Sequence, residues 1–209
     1  MEESFIERNF SNGSIGPYRD AGKVVVSLVD EFAAKVSCNI FKYLSIKEFH
    51  THFIERRNTT SFNAFHCKPL GFNVVVNAGN DGVHTVDFFL NDRMHPLICT
   101  GEQAWRLLCD GEEIDEIEPL LSVEDEVRVR NMASNAFKAL RCALRKKAEA
   151  ELYELKLEFG RRTQGYMAGK PIITGIVTSR ECRVASVGGK KNIENSDFNL
   201  ATLTEKLFS

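Results

Sequence analysis

From Ser122 to Gly160 one apolar stripe runs through the chain: Ala133, Phe137, Leu140, Leu144, Ala148, Leu152, Leu155 and Phe159 recur every three or four residues. That spacing puts side chains on one face of an α-helix. Ser122 stands at an N-cap position with Glu124 and Asp125 in the first turn, and Gly160 stands where a helix stops. The pattern predicts a single helix over 122–159, about 55 Å long at about 1.5 Å per residue, against about 30 Å for a small domain. A helix of that length needs either a second subunit to cover it or a kink near Arg145-Lys146-Lys147. A homo-oligomer, most simply a homodimer, is expected.

Around this helix the chain reads as α+β. Residues 1–21, with Asn, Ser, Gly and Pro in the run Asn9 to Ala21, are expected to form a flexible arm. Val25, Leu28, Val29, Phe32, Val36, Ile40 and Leu44 predict a helix over 24–44, although Val24-Val25-Val26 also suits a short strand. Ser45-Ile46-Lys47-Glu48 is a capping box that predicts a second helix, so the two would make a helical pair. The runs Phe62–Cys67, Phe72–Asn77 and Val83–Leu90, separated by Pro, Gly and Asn, predict an antiparallel sheet. Thr100-Gly101-Glu102-Gln103 opens a short helix that Trp105 would anchor. Residues 172–178 and 182–187 are expected to form a C-terminal β-hairpin. A single domain over 22–188 would then end in a tail, 189–209, with apolar positions at Leu200, Leu203, Leu207 and Phe208.

Composition restricts the function classes. The 209 residues are 43 % hydrophobic and 27 % charged with a formal net charge of −2, enough apolar material for one core and no global field toward polyanions. No apolar run reaches the length of a membrane span and the acidic N-terminus does not read as a leader, so the chain is expected inside the cell, cytoplasmic or nuclear. The six cysteines form no CxxC pair and read as reduced thiols.

Charge is nonetheless unevenly placed. Glu102 to Glu126 holds ten acidic residues against Arg106, whereas Arg128 to Lys170 holds eleven basic residues against four acidic ones. On helical angles Lys138, Arg141 and Arg145 share one side, and Lys146, Lys147, Arg161, Arg162 and Lys170 extend them into a basic ridge. Cations in a row along a helix suit contact with nucleic-acid phosphates, with Gln164 and Tyr166 able to add a hydrogen bond and a stacking surface. The ridge also suits pairing with the protein's own acidic loop. The stretch Val83 to Leu108, with its Asn91-Asp92 turn and Thr100-x-Glu102-Gln103-x-Trp105, resembles the end of the single-strand-binding domain of positive-cofactor-type transcription coactivators, with Ala104 inserted before the tryptophan. That resemblance points the same way.

Catalytic patterns are sparse. Gly165-Tyr166-Met167-Ala168-Gly169-Lys170 is one residue short of a phosphate-binding loop, and Pro171 stands where a hydroxyl residue belongs. His50, His52, His66 and Cys67 are zinc-ligand types at a spacing that matches no zinc motif. Asp87 and Asp92 near His84 and His95 would make an acid/base set if brought together. The expectation is a non-catalytic nucleic-acid-binding or regulatory protein, DNA- or RNA-binding, without cofactor or metal. The alternatives are an assembly or adaptor protein using the long helix and C-terminal tail, and a metal-dependent enzyme using the histidine-rich middle.

Overall fold

The computed structural model describes residues 8–10, 13–17, 22–79, 83–90, 98–100, 121–187 and 196–209. The α+β class stands: the described residues form two antiparallel sheets and three α-helices. The first sheet has the order β1 (Arg8–Phe10), β2 (Gly13–Pro17), β3 (Lys23–Leu28), β5 (Ser61–Phe65), β4 (Phe53–Arg56). The second runs β10 (Pro171–Thr174), β9 (Ala150–Arg162), β6 (Cys67–Ala78), β7 (His84–Leu90), β8 (Ile98–Thr100), with β11 (Cys182–Ser186) also on β9. The stretch read as an arm thus contributes β1 and β2.

Only one helix stands where a helical pair is expected. In β3 the β-branched run alternates, with Val24, Val26 and Leu28 buried. Asp30 then caps α1 (Glu31–Ile46), its carboxylate accepting the Ala33 amide at 2.8 Å. The capping-box serine, Ser45, lies in the last turn of α1, and Glu48 adopts φ 64, which ends the helix rather than starting another. Phe53–Arg56 pairs with β5 instead. The apolar spacing seen from residue 46 onward belongs to a helix end and a short edge strand.

The long helix is also shorter than its stripe. α2 spans Val123–Ala148, with Ser122 Oγ accepting the Asp125 amide and Glu149 as a left-handed C-cap at φ 52. The remaining apolar positions lie on β9, whose pairing with β11 shifts register at Tyr153: Val184 pairs Leu152 and Arg183 pairs Glu154. One extra residue in the strand sets Leu152 and Leu155 three apart on one face, so a bulged strand reproduces a helical spacing. β10 and β11 both pair with β9, at Glu158–Arg161 and at Ala150–Leu155, and make one interrupted edge strand rather than a hairpin.

One core runs through the molecule. α1 packs on β3, β4 and β5, and α2 packs on β9, β6 and β7. α3 (Asp197–Glu205) and the turn Lys206–Phe208 close over α1 and α2, with Leu200 and Leu207 buried, Phe198 edge-on to Phe32, and Lys35 paired with Glu205. Glu126, 3 % exposed, is gripped by Arg130 Nε and Nη2 at 2.8 and 2.6 Å, and the same guanidinium donates to the Val86 carbonyl and lies over Phe88. That pair pins α2 to β7.

Two stability predictions follow from these contacts. Glu149→Gly relieves a left-handed backbone at the helix-to-strand switch and raises stability by about 0.5–1 kcal/mol in urea unfolding; a lower midpoint would show that Glu149 is held there by something more than backbone geometry. Arg130→Met leaves Glu126 buried without its cation and lowers stability by about 3 kcal/mol, most of which Glu126→Gln in the same chain recovers.

Candidate functional site

The basic ridge separates into two places. Lys138, Arg141, Arg145 and Lys146 line an open groove of about 510 Å³ on the outer side of α2, with Cys142 between them. There Arg141 Nε donates to Glu151 Oε1 at 2.5 Å and Arg145 meets Glu151 Oε2 at 2.5 Å. Lys147 turns away and donates to the carbonyls of Leu207 and Ser209 at 3.0 and 2.7 Å, tying the chain end to α2. Arg161 belongs elsewhere: it donates to Asp125 Oδ2 at 2.6 Å and to the Gly169 carbonyl at 2.8 Å. Asp125 and Lys138 are separated by about 20 Å of helix. Arg162 lies flat on Phe65, 3.5 Å from the ring centre, and Lys170 is exposed on the adjoining turn.

The histidine-rich segment does not gather into a ligand set. His52 sits between Phe41 and Phe62, the His66 ring meets Thr163 Oγ1 at 3.1 Å, His84 meets Ser134 Oγ at 2.7 Å, and Cys67 Sγ donates to the Phe65 carbonyl. Among the described residues no three metal-ligating side chains converge. Burial pushes the thiols of Cys38, Cys67 and Cys182 up to about 11, 12 and 12, as for small apolar side chains. Asp92, His95 and the expected helix after Thr100 lie outside the described residues.

A polar constellation that the sequence pattern hid lies where the two sheets meet. β5 leads into β6 through His66 alone, and hydrogen bonds knit the crossing: Phe65 N to the His52 carbonyl at 2.7 Å, His66 N to Gly22 at 2.8 Å, and Thr163 N to His66 at 3.2 Å. From there β9 runs beside β6 with Leu155, Leu157 and Phe159 buried on one face. The opposite face carries Lys156 and Glu158, with Asn73 across from Glu158, Val75 across from Lys156, and Asp87 next on β7. Thr174 pairs Glu158 on the other edge. Lys156, Glu158 and Asp87 are half-buried and Asn73 is 8 % exposed.

Gly175 closes this constellation. At φ 77 it lies so near Glu158 that a Cβ would come within 2.8 Å of the carboxyl carbon, so both its backbone and its lack of a side chain are required. The strap that follows is held by Ser37, whose hydroxyl donates to the Val177 carbonyl at 2.8 Å and accepts the Val177 amide at 3.1 Å. An ammonium, two carboxylates and an amide on one sheet face can bind a ligand carrying both anionic and hydroxyl or amine groups. Read as a helix, Lys156 and Glu158 would point about 200° apart; as a strand they share a face. The Lys156-Leu157-Glu158-Phe159 alternation was the available signal.

His52 backs the constellation from the core. It is 2 % exposed and its imidazole is pushed down to about 4 by burial, a backbone hydrogen bond with Gly175 offsetting part of the effect. A depressed histidine lets the unfolded chain bind a proton first, so this stability is complete above about pH 6.5 and is lost as pH falls toward 4, to the extent of about 3 kcal/mol. His52→Gln should therefore flatten the acid limb between those pH values in urea unfolding. Parallel pH curves for the two proteins would remove His52 from the account.

No protein-family model matches the chain, and no curated protein sequence matches it. Solved structures do. The fold is similar to those of SAICAR synthetases. Phosphoribosylaminoimidazole-succinocarboxamide synthase from Ehrlichia chaffeensis is similar with a TM-score of 0.78 at 14 % identity, over 96 % of this chain and 97 % of that one. A type-2 SAICAR synthetase in complex with ADP gives 0.74 at 17 %, over 97 % and 94 %. The SAICAR synthase of Saccharomyces cerevisiae, complexed with SAICAR, gives 0.63 at 12 %, over 96 % and 91 %. These likenesses establish the fold. They overturn the expectation of a non-catalytic nucleic-acid-binding or regulatory protein, because the fold is shared end to end with synthetases. The row of cations misled because charge spacing along one helix carries no information on the partners that the fold brings to it, and Glu151, Asp125 and the chain-end carbonyls engage Arg141, Arg145, Arg161 and Lys147.

Proposed function

We propose that the chain is a nucleotide-using synthetase that forms a carboxamide bond, with the polar face of β9, β6 and β7 beside the sheet crossing as its ligand site. The observation that carries this reading is the match over nearly the whole of both chains to a structure holding ADP. In the proposed reaction a carboxylate and an amine join as an amide while the terminal phosphoryl group of a nucleoside triphosphate takes up the departing carboxylate oxygen and leaves as phosphate. Lys156 supplies positive charge to the phosphates, and Glu158, Asn73 and Asp87 offer acceptors and an amide to hydroxyl or amine groups. The proteins compared point to SAICAR, or a compound of its class, as the product. An intracellular setting goes with this reading, because Cys38, Cys67, Cys142 and Cys182 are free thiols. No described helix is long and apolar enough to cross a membrane.

Calorimetric titration with ADP and with SAICAR tests the proposal. Both should bind, and Lys156→Ala, at a half-buried surface position, should weaken ADP about ten- to hundredfold while leaving the circular dichroism unchanged. Absence of heat for either ligand at millimolar concentration would end the reading. Equal ADP affinity in Lys156→Ala would move the phosphate site off this sheet face.

A further inference from the structure

The groove on the outer side of α2 stands apart from the polar sheet face, since α2 covers the apolar face of the second sheet. The helix spaces its lining residues: Lys138 and Lys146 stand one turn before and one turn after Cys142, with Arg141 and Arg145 between them. At about 100° per residue the four cations fall within an arc of about 140°, and the Cys142 thiol lies inside it. The two lysines are about 12 Å apart along the axis, a distance their flexible stems can close.

Glu151 engages Arg141 and Arg145, each through Nε, and Lys138 and Lys146 form no ion pair among the described residues. Four cations therefore face one carboxylate, and three positive charges are in excess. A guanidinium has N–H donors besides Nε, so both arginines can hold Glu151 and a second anion together. The imbalance is felt nearby: burial first, then the charges of Lys138 and Arg141, push the His84 imidazole below its ordinary value. Three excess charges within about 12 Å call for an anion with several charges in a short length, and the groove, about 510 Å³, has room for one of small-molecule size. A lone carboxylate or monophosphate would meet one end of the groove. A chain of linked phosphates meets both lysines at once, and its oxygens suit the arginine fork.

We propose that the α2 groove is a binding site for a small oligophosphate, held end to end by Lys138 and Lys146 with Arg141 and Arg145 along one flank. The proposal does not rest on the proposed reaction, and its site is separate from the Lys156 face. Cys142, exposed between the two lysines, reports occupancy, because a ligand that spans them covers the thiol.

Calorimetry and peptide mass spectrometry on the full chain test it with inorganic tripolyphosphate at low salt. Tripolyphosphate should bind at least about tenfold more tightly than orthophosphate, weaken as salt rises, and slow the alkylation of Cys142 by iodoacetamide at least about tenfold. Lys138→Glu with Lys146→Glu, both exposed, should abolish that protection with circular dichroism unchanged, and the milder Lys138→Gln with Lys146→Gln should weaken binding at least about tenfold. Lys156→Ala should leave the protection of Cys142 as it is, which separates this site from the proposed nucleotide site. A Cys142 that is unreactive before any anion is added, the groove being filled by the protein itself, would overturn the proposal. So would a Cys142 left unprotected at millimolar tripolyphosphate, protection retained in the charge-reversed variant, or equal affinity for orthophosphate.

Discussion

The structure depends on the backbone pairing of one strand. β9 is thirteen residues long and is bonded along one edge to β6 and along the other to β10 and β11, so the second sheet is built outward from it. Its apolar face seats α2, its polar face carries Lys156 and Glu158, and its end at Arg161-Arg162 lies beside Lys68 and Cys67, where the chain crosses between sheets. Glu154, Leu155, Glu158, Gly160 and Arg161 are paired on both edges, which fixes the register of the strand and with it the facing of every side chain. Glu149 makes this possible: the left-handed residue reverses the chain from α2 onto β9 in one step, which sets the helix directly against the sheet that follows it.

That same step explains which parts of the fold were legible in the sequence. Periodicity identified α2 through its first seven turns, because a capped helix with one apolar face gives an unambiguous local signal, and the strands at 61–65, 67–78 and 84–90 were marked by β-branched runs between turn residues. What local pattern does not contain is the identity of the pairing partner. The bulge at Tyr153 reproduces a helical interval, so the stripe through Leu152, Leu155 and Phe159 reads as a continuation of the helix and the shared face of Lys156 and Glu158 goes unseen. β5 and β6, adjacent in sequence and alike in pattern, belong to different sheets, a fact decided by long-range bonds to β3 and β9. The candidate site was illegible for this reason: its residues come from β6, β7, β9 and β10, and only pairing brings them together.

Polar groups inside the core hold the arrangement rigid. Ser37 bridges α1 to the Val177 strap with two hydrogen bonds, His52 connects Phe41 and Phe62 to Gly175, and Gly175 rests on Glu158. Each of these is worth about 1 kcal/mol net when made, and more than that is lost when a buried partner is left unpaired. The result is a continuous path of contacts from the helix on the first sheet to the carboxylate on the polar face of the second. A site assembled from four strands needs such support, since displacement of a ligand group by about 1 Å can cost about a hundredfold in rate.

The distribution of cations follows from the same architecture. Placing β9 antiparallel to α2 returns the chain toward the helix start, so Arg161 reaches Asp125 and the glycine-bounded turn Gly165–Gly169 lies at that end. The basic residues of the last α2 turns remain at the other end with Glu151, the first acidic residue of β9, between them. One run of positive charge in the sequence is thereby divided by the fold into a structural clamp at one end of the helix and a partly neutralised groove at the other. Arg161 commits its Nη1 to a carboxylate and a carbonyl. Lys138 and Lys146 form no ion pair among the described residues, so the groove keeps a net positive charge beside Glu151.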